Sequence, residues 1–429
     1  MPTVTVAGAS NQIVTLSYTV QDAVGAAQAL ASTITDDITA EAIVPVDYTG
    51  SAPPEMANGA LYVASSGSVI TQPVGYDVVV LSSGGPNTVL GSAGSFDRIL
   101  ADSGDLIYVF GTGSSGTVVA GDGNNYITTG PTTAGGLFNV IVGAGTNVVA
   151  IEGGSGTVAT GTGSDAIALG DSNSLVYVAG QATITGSVTG TPGLAGSDTI
   201  NAGAGQLQVL GYASDLTFVG GSGSATVDGG SGSDTIVLNQ ESGFFKAGTR
   251  GNSLLNGGDM GATLQGSANG DELVAGPAGL ATSAAPQVLM AGPGNETLQG
   301  SGATGPTQYF AGNNATVNGD TFYAQTAIAA SDQSTVFGST GFSTVTGSGN
   351  VTYEFVNGQA GGGIETITNF DPATDTVRLY NYADGEAQAA ISGAIVNPPG
   401  TTGTIVVLSD NTRILFQGYT GGFSGNTLA

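Results

Sequence analysis

From about Tyr76 to Ala360 an apolar residue returns at one place in every nine, with glycine-rich turns between. That period constrains the fold more than any other feature of the chain. In a frame opening at Gly193, nonapeptides begin at Gly193, Ala202, Gly211, Gly220 and Gly229, and their eighth residues are Ile200, Val209, Phe218, Val227 and Ile236. A second block, from Val142, places Val149, Val158, Ile167 and Val176 there, and a third, from Asp102, places Val109, Val118 and Ile127. Twelve apolar residues in twelve places, in three separate blocks, mark a structural repeat and not a bias of composition.

Nine residues suit one short strand and one tight turn. The eighth residue points inward, and glycine reverses the chain where φ must be positive or backbones approach closely. Two nonapeptides then make a rung of about eighteen residues, and rungs stacked at about 4.8 Å form two parallel sheets around a thin Val/Ile/Leu core. The expected fold is all-β, a parallel β-roll or β-helix solenoid. It accounts for 74 glycines in 429 residues without a flexible linker. A chain that is 40% hydrophobic, with mean hydropathy +0.20, is also too apolar for a solvated tail.

The ends differ from this middle. Residues 1–75 read as a small α+β cap or docking domain. Strands are expected over Gln12–Ser17 and Ala42–Asp47, flanking a helix from Thr19 to Ile34 whose apolar face carries Val20, Val24, Ala27, Leu30, Ala31 and Ile34. Thr19 and Asp22 have the spacing of a capping box. A solenoid needs such a cap, because an open last rung exposes a core and a sheet edge. Residues 76–360 form the glycine-rich solenoid, in two sections if the insertions around 246–310 leave the stack. The Ala/Pro/Gly-rich stretch from Gly276 to Thr307 is the clearest of these insertions, and strands are expected to resume from Ala311 to Phe355. Residues 361–429 form a β-rich closing region, with a hairpin of Thr404–Leu408 and Arg413–Phe416 around the turn Ser409–Thr412.

The nonapeptide Gly229-Gly230-Ser231-Gly232-Ser233-Asp234-Thr235-Ile236-Val237 resembles the glycine-rich repeat of RTX (hemolysin-type calcium-binding) proteins in full. Partial fits carry Asp198, Asp165, Asn125 and Asn147 at the sixth position. The resemblance implies that Asn125, Asn147, Asp165, Asp198 and Asp234 are calcium ligands, shared between turns one rung apart on the same side. Asn147 and Asp165 have that spacing; Asp198 and Asp234 are two rungs apart, with Leu216 at the intervening sixth position. A few sites are expected, not a continuous ladder. Residues Ile364–Leu379 also resemble the segment that closes RTX proteins, which implies export by a type I channel and folding outside the cell.

Composition limits the chemistry. With no His and no Cys, the chain has neither a Ser-His-Asp nor a Cys-His constellation, no thiol redox chemistry and no HExxH zinc protease motif. Arg98, Lys246, Arg250, Arg378 and Arg413 are its only cations against 32 acidic residues, a net charge of −27, so nucleic acid is not an expected partner. No apolar run reaches the roughly 18 residues of a membrane span, and the N-terminus lacks the basic and apolar regions of a signal peptide. Asp371 and Asp375 are assigned to the C-terminal fold, not to a catalytic pair. The expected function is that of a secreted, extracellular structural protein assembling with copies of itself as a filament, biofilm matrix or surface layer, with calcium supporting folding or contacts. The alternative is a polysaccharide-active or glycan-binding secreted β-helix protein, with cell-surface polysaccharide as partner.

Overall fold

Strands form where the nonapeptide register places alternating inward residues, and parallel neighbours stack them. The computed structural model describes residues 2–19, 21–129, 136–170, 173–187, 196–276, 287–292, 296–299, 307–310, 324–328, 334–338, 342–346, 351–358, 361–423 and 428. The chain is mostly β, a parallel β-solenoid with a small N-terminal α+β cap and β-rich C-terminal sheets. By its internal contacts it divides into two units, Met1–Thr217 and Phe218–Ala429.

In the first unit one sheet runs in parallel from Gly59–Val63 through Tyr76–Leu81, Phe96–Ala101, Ser115–Ala120, Leu137–Val142, Ser155–Thr160 and Ser174–Val178 to Ser197–Ala202. The facing sheet runs from Val69–Thr71 through Asn87–Leu90, Leu106–Phe110, Tyr126–Thr129, Val148–Ile151 and Ser164–Leu169 to Gln181–Thr185 and Gln206–Leu210. Strand pairs alternate between the sheets along the chain, as the two-nonapeptide rung requires. Eleven of the twelve eighth-position residues are buried. Each such side chain contributes about 1.5–3 kcal/mol. Val109 is the exception: Leu106, Tyr108 and Phe110 point inward instead. The pairing Ile127↔Tyr108 shows a one-residue slip of the frame there, which turns every side chain of that strand over.

The N-terminal zone forms an antiparallel pair, β1 (Thr3–Ala7) and β2 (Ile13–Ser17), then the helix α1 (Gln21–Thr39). Val24, Ala27, Ala31 and Ile34 of α1 are buried, packing with Val78, Val80, Leu100 and Val119. The zone therefore covers an outer face of the first sheet. This explains the apolar runs Val78–Leu81 and Ile99–Ala101, which are buried on both sides there. The Thr19 hydroxyl donates to Asp122 Oδ2 (2.5 Å), tying the helix entry to the stack; Val20 and the Asp22 side chain lie outside the described residues. Among the described residues no helix is long and apolar enough to cross a membrane.

In the second unit the alternation continues through the region expected to hold insertions. Leu254–Asn256, Glu272–Val274 and Thr297–Gln299 pair in parallel, as do Ser242–Lys246, Ala262–Gln265, Gln287–Met290 and Thr307–Phe310. The stretches 277–286, 293–295 and 300–306 lie outside the described residues, as does most of 311–333. At the C-terminal end Ile364–Thr368 pairs with Arg413–Gln417, which forms the expected hairpin with Gly403–Val407. Phe370 anchors that end against Phe416 and Tyr419, with ring centroids 4.6 and 5.5 Å away. Asp375 is buried and accepts the N–H groups of Val351 (3.0 Å) and Asp371 (2.9 Å), so the Asp371/Asp375 pair does close this fold.

Candidate functional site

Side chains two apart on a strand share a face, so the sixth and eighth residues of a nonapeptide both point into the solenoid. Parallel rungs then stack sixth-position polar groups into interior columns. Asn125, Asn147 and Asp165 form one such column and are all buried. Asn147 Nδ2 donates to Asp165 Oδ1 (2.8 Å) and to the Gly143 carbonyl (3.2 Å), and its backbone N–H also reaches Asp165 Oδ1 (3.2 Å). Asn147 Oδ1 in turn accepts from Asn125 Nδ2 (2.8 Å), and Asn125 Oδ1 from the Leu106 N–H (3.2 Å). The column joins Asn147 to Asp165 across 18 residues, as the spacing requires, and Asn125 to Asn147 across 22. That second link is invisible to a strict period because 22 residues, not eighteen, separate the pair. Asp165 Oδ2 is buried with no hydrogen-bond partner. Burial pushes its carboxyl pKa up, against the hydrogen bonds from Asn147.

Asp198 and Asp234 belong to other columns. Asp198 stacks on Ser174, whose N–H it accepts at 3.2 Å, and its Oδ2 has no hydrogen-bond partner; burial pushes its pKa up to about 7. In the second unit Asp234 starts a column that continues through Ser253, Asp271 and Glu296 on successive rungs, all buried. Asp234 Oδ2 accepts the Gly248 N–H (2.7 Å). Asp271 accepts three backbone N–H groups, from Ser253 (2.9 Å), Ser267 (2.8 Å) and Ala268 (2.9 Å). Glu296 Oε2 accepts the Gly292 N–H (2.7 Å), while its Oε1 has no hydrogen-bond partner. Burial, with Asp271 adding its charge, pushes the Glu296 pKa up to about 8.

Asp271 and Glu296 escape a search for glycine turns. Their signal is an acid two residues before a buried aliphatic: Asp234/Ile236, Asp271/Leu273, Glu296/Leu298. The same signal marks Asp97, two before Ile99, which the nonapeptide frame does not contain. Asp97 is fully buried and accepts from the Tyr108 hydroxyl (2.6 Å), Ser95 Oγ (2.7 Å) and Gln72 Nε2 (2.7 Å). Burial raises its pKa against those three hydrogen bonds.

These columns brace corners of the solenoid. Calcium takes six to eight oxygen ligands at about 2.3–2.6 Å. The Asn125–Asn147–Asp165 column offers one carboxylate, already faced by N–H donors, and among the described residues no three acidic side chains group as a metal shell would need. The side chains of that column alone do not supply such a shell. Asn147→Ala is expected to cost roughly 1–3 kcal/mol in urea unfolding, because it removes one buried side-chain hydrogen bond from Asn125 and one from Asp165. Asp165→Asn, which keeps an acceptor and removes a buried charge, is expected to cost nothing at pH 7.

No family model, curated protein or solved structure matches the chain. What the fold establishes is a β-solenoid protein.

Proposed function

We propose that this is an extracellular structural protein that assembles with copies of itself through the open edges of its sheets. The observation that carries the reading is an edge. Among the described residues Val69–Thr71 ends its sheet, paired only with Asn87–Leu90. Val69 and Val74 beside it are each 69% exposed. No charged residue occurs from Val63 to Gly75, in a chain of net charge −27. Exposed edges in monomeric proteins are guarded by charge, because unpaired N–H and C=O groups recruit other strands. This one carries no charge. In the second unit Ile395 and Val396, each 52% exposed, form an edge strand beside Gly403–Val407.

The resemblance to RTX repeats and to their closing segment supports export by a type I route, where calcium is abundant. Calcium would act between copies, screening acidic surfaces. Replacing Val69 and Thr71 together by lysine puts two charges on the edge without disturbing buried Ile70. Light scattering in calcium is expected to give large particles for the native chain. The double variant should need at least roughly tenfold more protein to assemble, a weakening of association by about 1.4 kcal/mol. Equal assembly by both proteins would show that this edge does not join the copies.

A further inference from the structure

The outer face of the first sheet carries a groove of about 590 Å³ that self-assembly through sheet edges does not use. It runs across the strands, between two columns of outward side chains. One wall is Phe96 and Leu137, which are 56% and 66% exposed. The other is the stacked series Thr117, Asn139, Thr157, Leu175 and Thr199, one residue per rung.

We propose that this groove binds a neutral polysaccharide chain lying along the stack. Charge is the first reason. None of the residues lining the groove is ionisable, although the chain carries 32 acids. A basic or metal ligand would be drawn to the acids elsewhere, and an anionic one would be repelled by the net charge. Chemistry is the second. Exposed apolar platforms on one wall face hydroxyl and amide groups on the other, which suits a ring with an apolar C–H face and an equatorial rim of hydroxyls. The Thr117, Asn139, Thr157 and Thr199 side chains make no hydrogen bonds among the described residues, so their donors and acceptors are available to a ligand. Periodicity is the third. Rungs repeat at about 4.8 Å, close to the advance of one sugar ring along an extended chain, so a polymer meets equivalent groups rung after rung. A peptide strand is disfavoured, because the backbone of this face is already paired on both sides and offers no edge to extend.

The test uses the full-length chain and calorimetric titration with four hexasaccharides: cellohexaose, xylohexaose, mannohexaose and, as the acidic control, hexagalacturonate. At least one neutral hexamer is expected to bind, more tightly than the acidic one. Phe96→Ser with Leu137→Ser should weaken that binding at least roughly tenfold, as should Asn139→Asp, which adds charge without changing size. These sites lie on the surface, and unchanged melting temperatures would show that the variants remain folded. Chemical-shift changes confined to Thr117, Thr157 and their neighbours would place the ligand independently of any variant. No binding of any neutral hexamer at millimolar concentration, preferential binding of the acidic one, or variants that bind as the native chain does would each overturn the proposal. Because the groove and the edge strand are separate surfaces, loss of glycan binding with normal assembly, or the reverse, tells which of the two readings has failed.

Discussion

Gly163→Ala is expected to destabilise the solenoid by roughly 3–5 kcal/mol, enough to unfold a marginal domain. Gly163 has φ of 153°, a conformation that L side chains rarely adopt. Its position is also closed by packing: a Cβ there would overlap the backbone carbonyl of Gly145 on the preceding rung. That carbonyl cannot retreat freely, because it accepts the Ser164 N–H at 3.0 Å, while the Gly163 carbonyl holds the Gln181 N–H at 2.8 Å. Backbone strain of roughly 1–3 kcal/mol therefore adds to overpacking of similar size. Gly113 is the control. Its φ of 72° is also positive, but a Cβ there would meet nothing within 4 Å, so Gly113→Ala should cost only about 1 kcal/mol. Urea midpoints of the two variants measure the difference. If they fall equally, close stacking of turns is not what the glycines serve.

Stability is expected to fall as pH rises from about 4.5 to about 8, and Glu296→Gln should abolish much of that slope. The folded-state pKa of Glu296 is pushed up to about 8, from an ordinary value of 4.5. Between those values the folded chain holds a proton that the unfolded chain releases, so folding weakens with each unit of pH. Below the lower value both states are protonated and the full stability is present; above the upper one both are ionised and the loss is complete. At about 1.36 kcal/mol per unit the shift corresponds to roughly 3–5 kcal/mol. Asp198, pushed up to about 7 by burial, adds a second contribution of the same sign. The glutamine variant should match the native chain near pH 4 and exceed it at pH 8.5 by a few kcal/mol. Parallel curves for the two proteins would mean that Glu296 is not buried as described.

The repeat was legible because strand and turn geometry impose it residue by residue. Apolar residues at the eighth position went to the core in the blocks from Val142 and Gly193, where turns keep their length. The frame failed at Val109, where large Tyr108 and Phe110 take the inward places and their rings pack edge to face, with centroids 4.8 Å apart. It also missed the contact of Asn125 with Asn147, since they lie 22 residues apart, outside the period of eighteen, while their strands still pair. The short helix Glu386–Ser392 was not foreseen; its apolar content is too slight to give a period, and of its residues only Ala390 is buried. Acids were visible in the sequence, but their direction was not. Strand alternation turns Asp165, Asp198 and Asp234 inward, where hydrogen bonds and burial decide their chemistry.

Electron microscopy of the purified full-length chain, with calcium and with EGTA, tests the central claim most directly. Ordered filaments or sheets in calcium, dispersing in EGTA while circular dichroism stays unchanged, are the predicted result. Separate, uniform particles of a single chain under both conditions would contradict it.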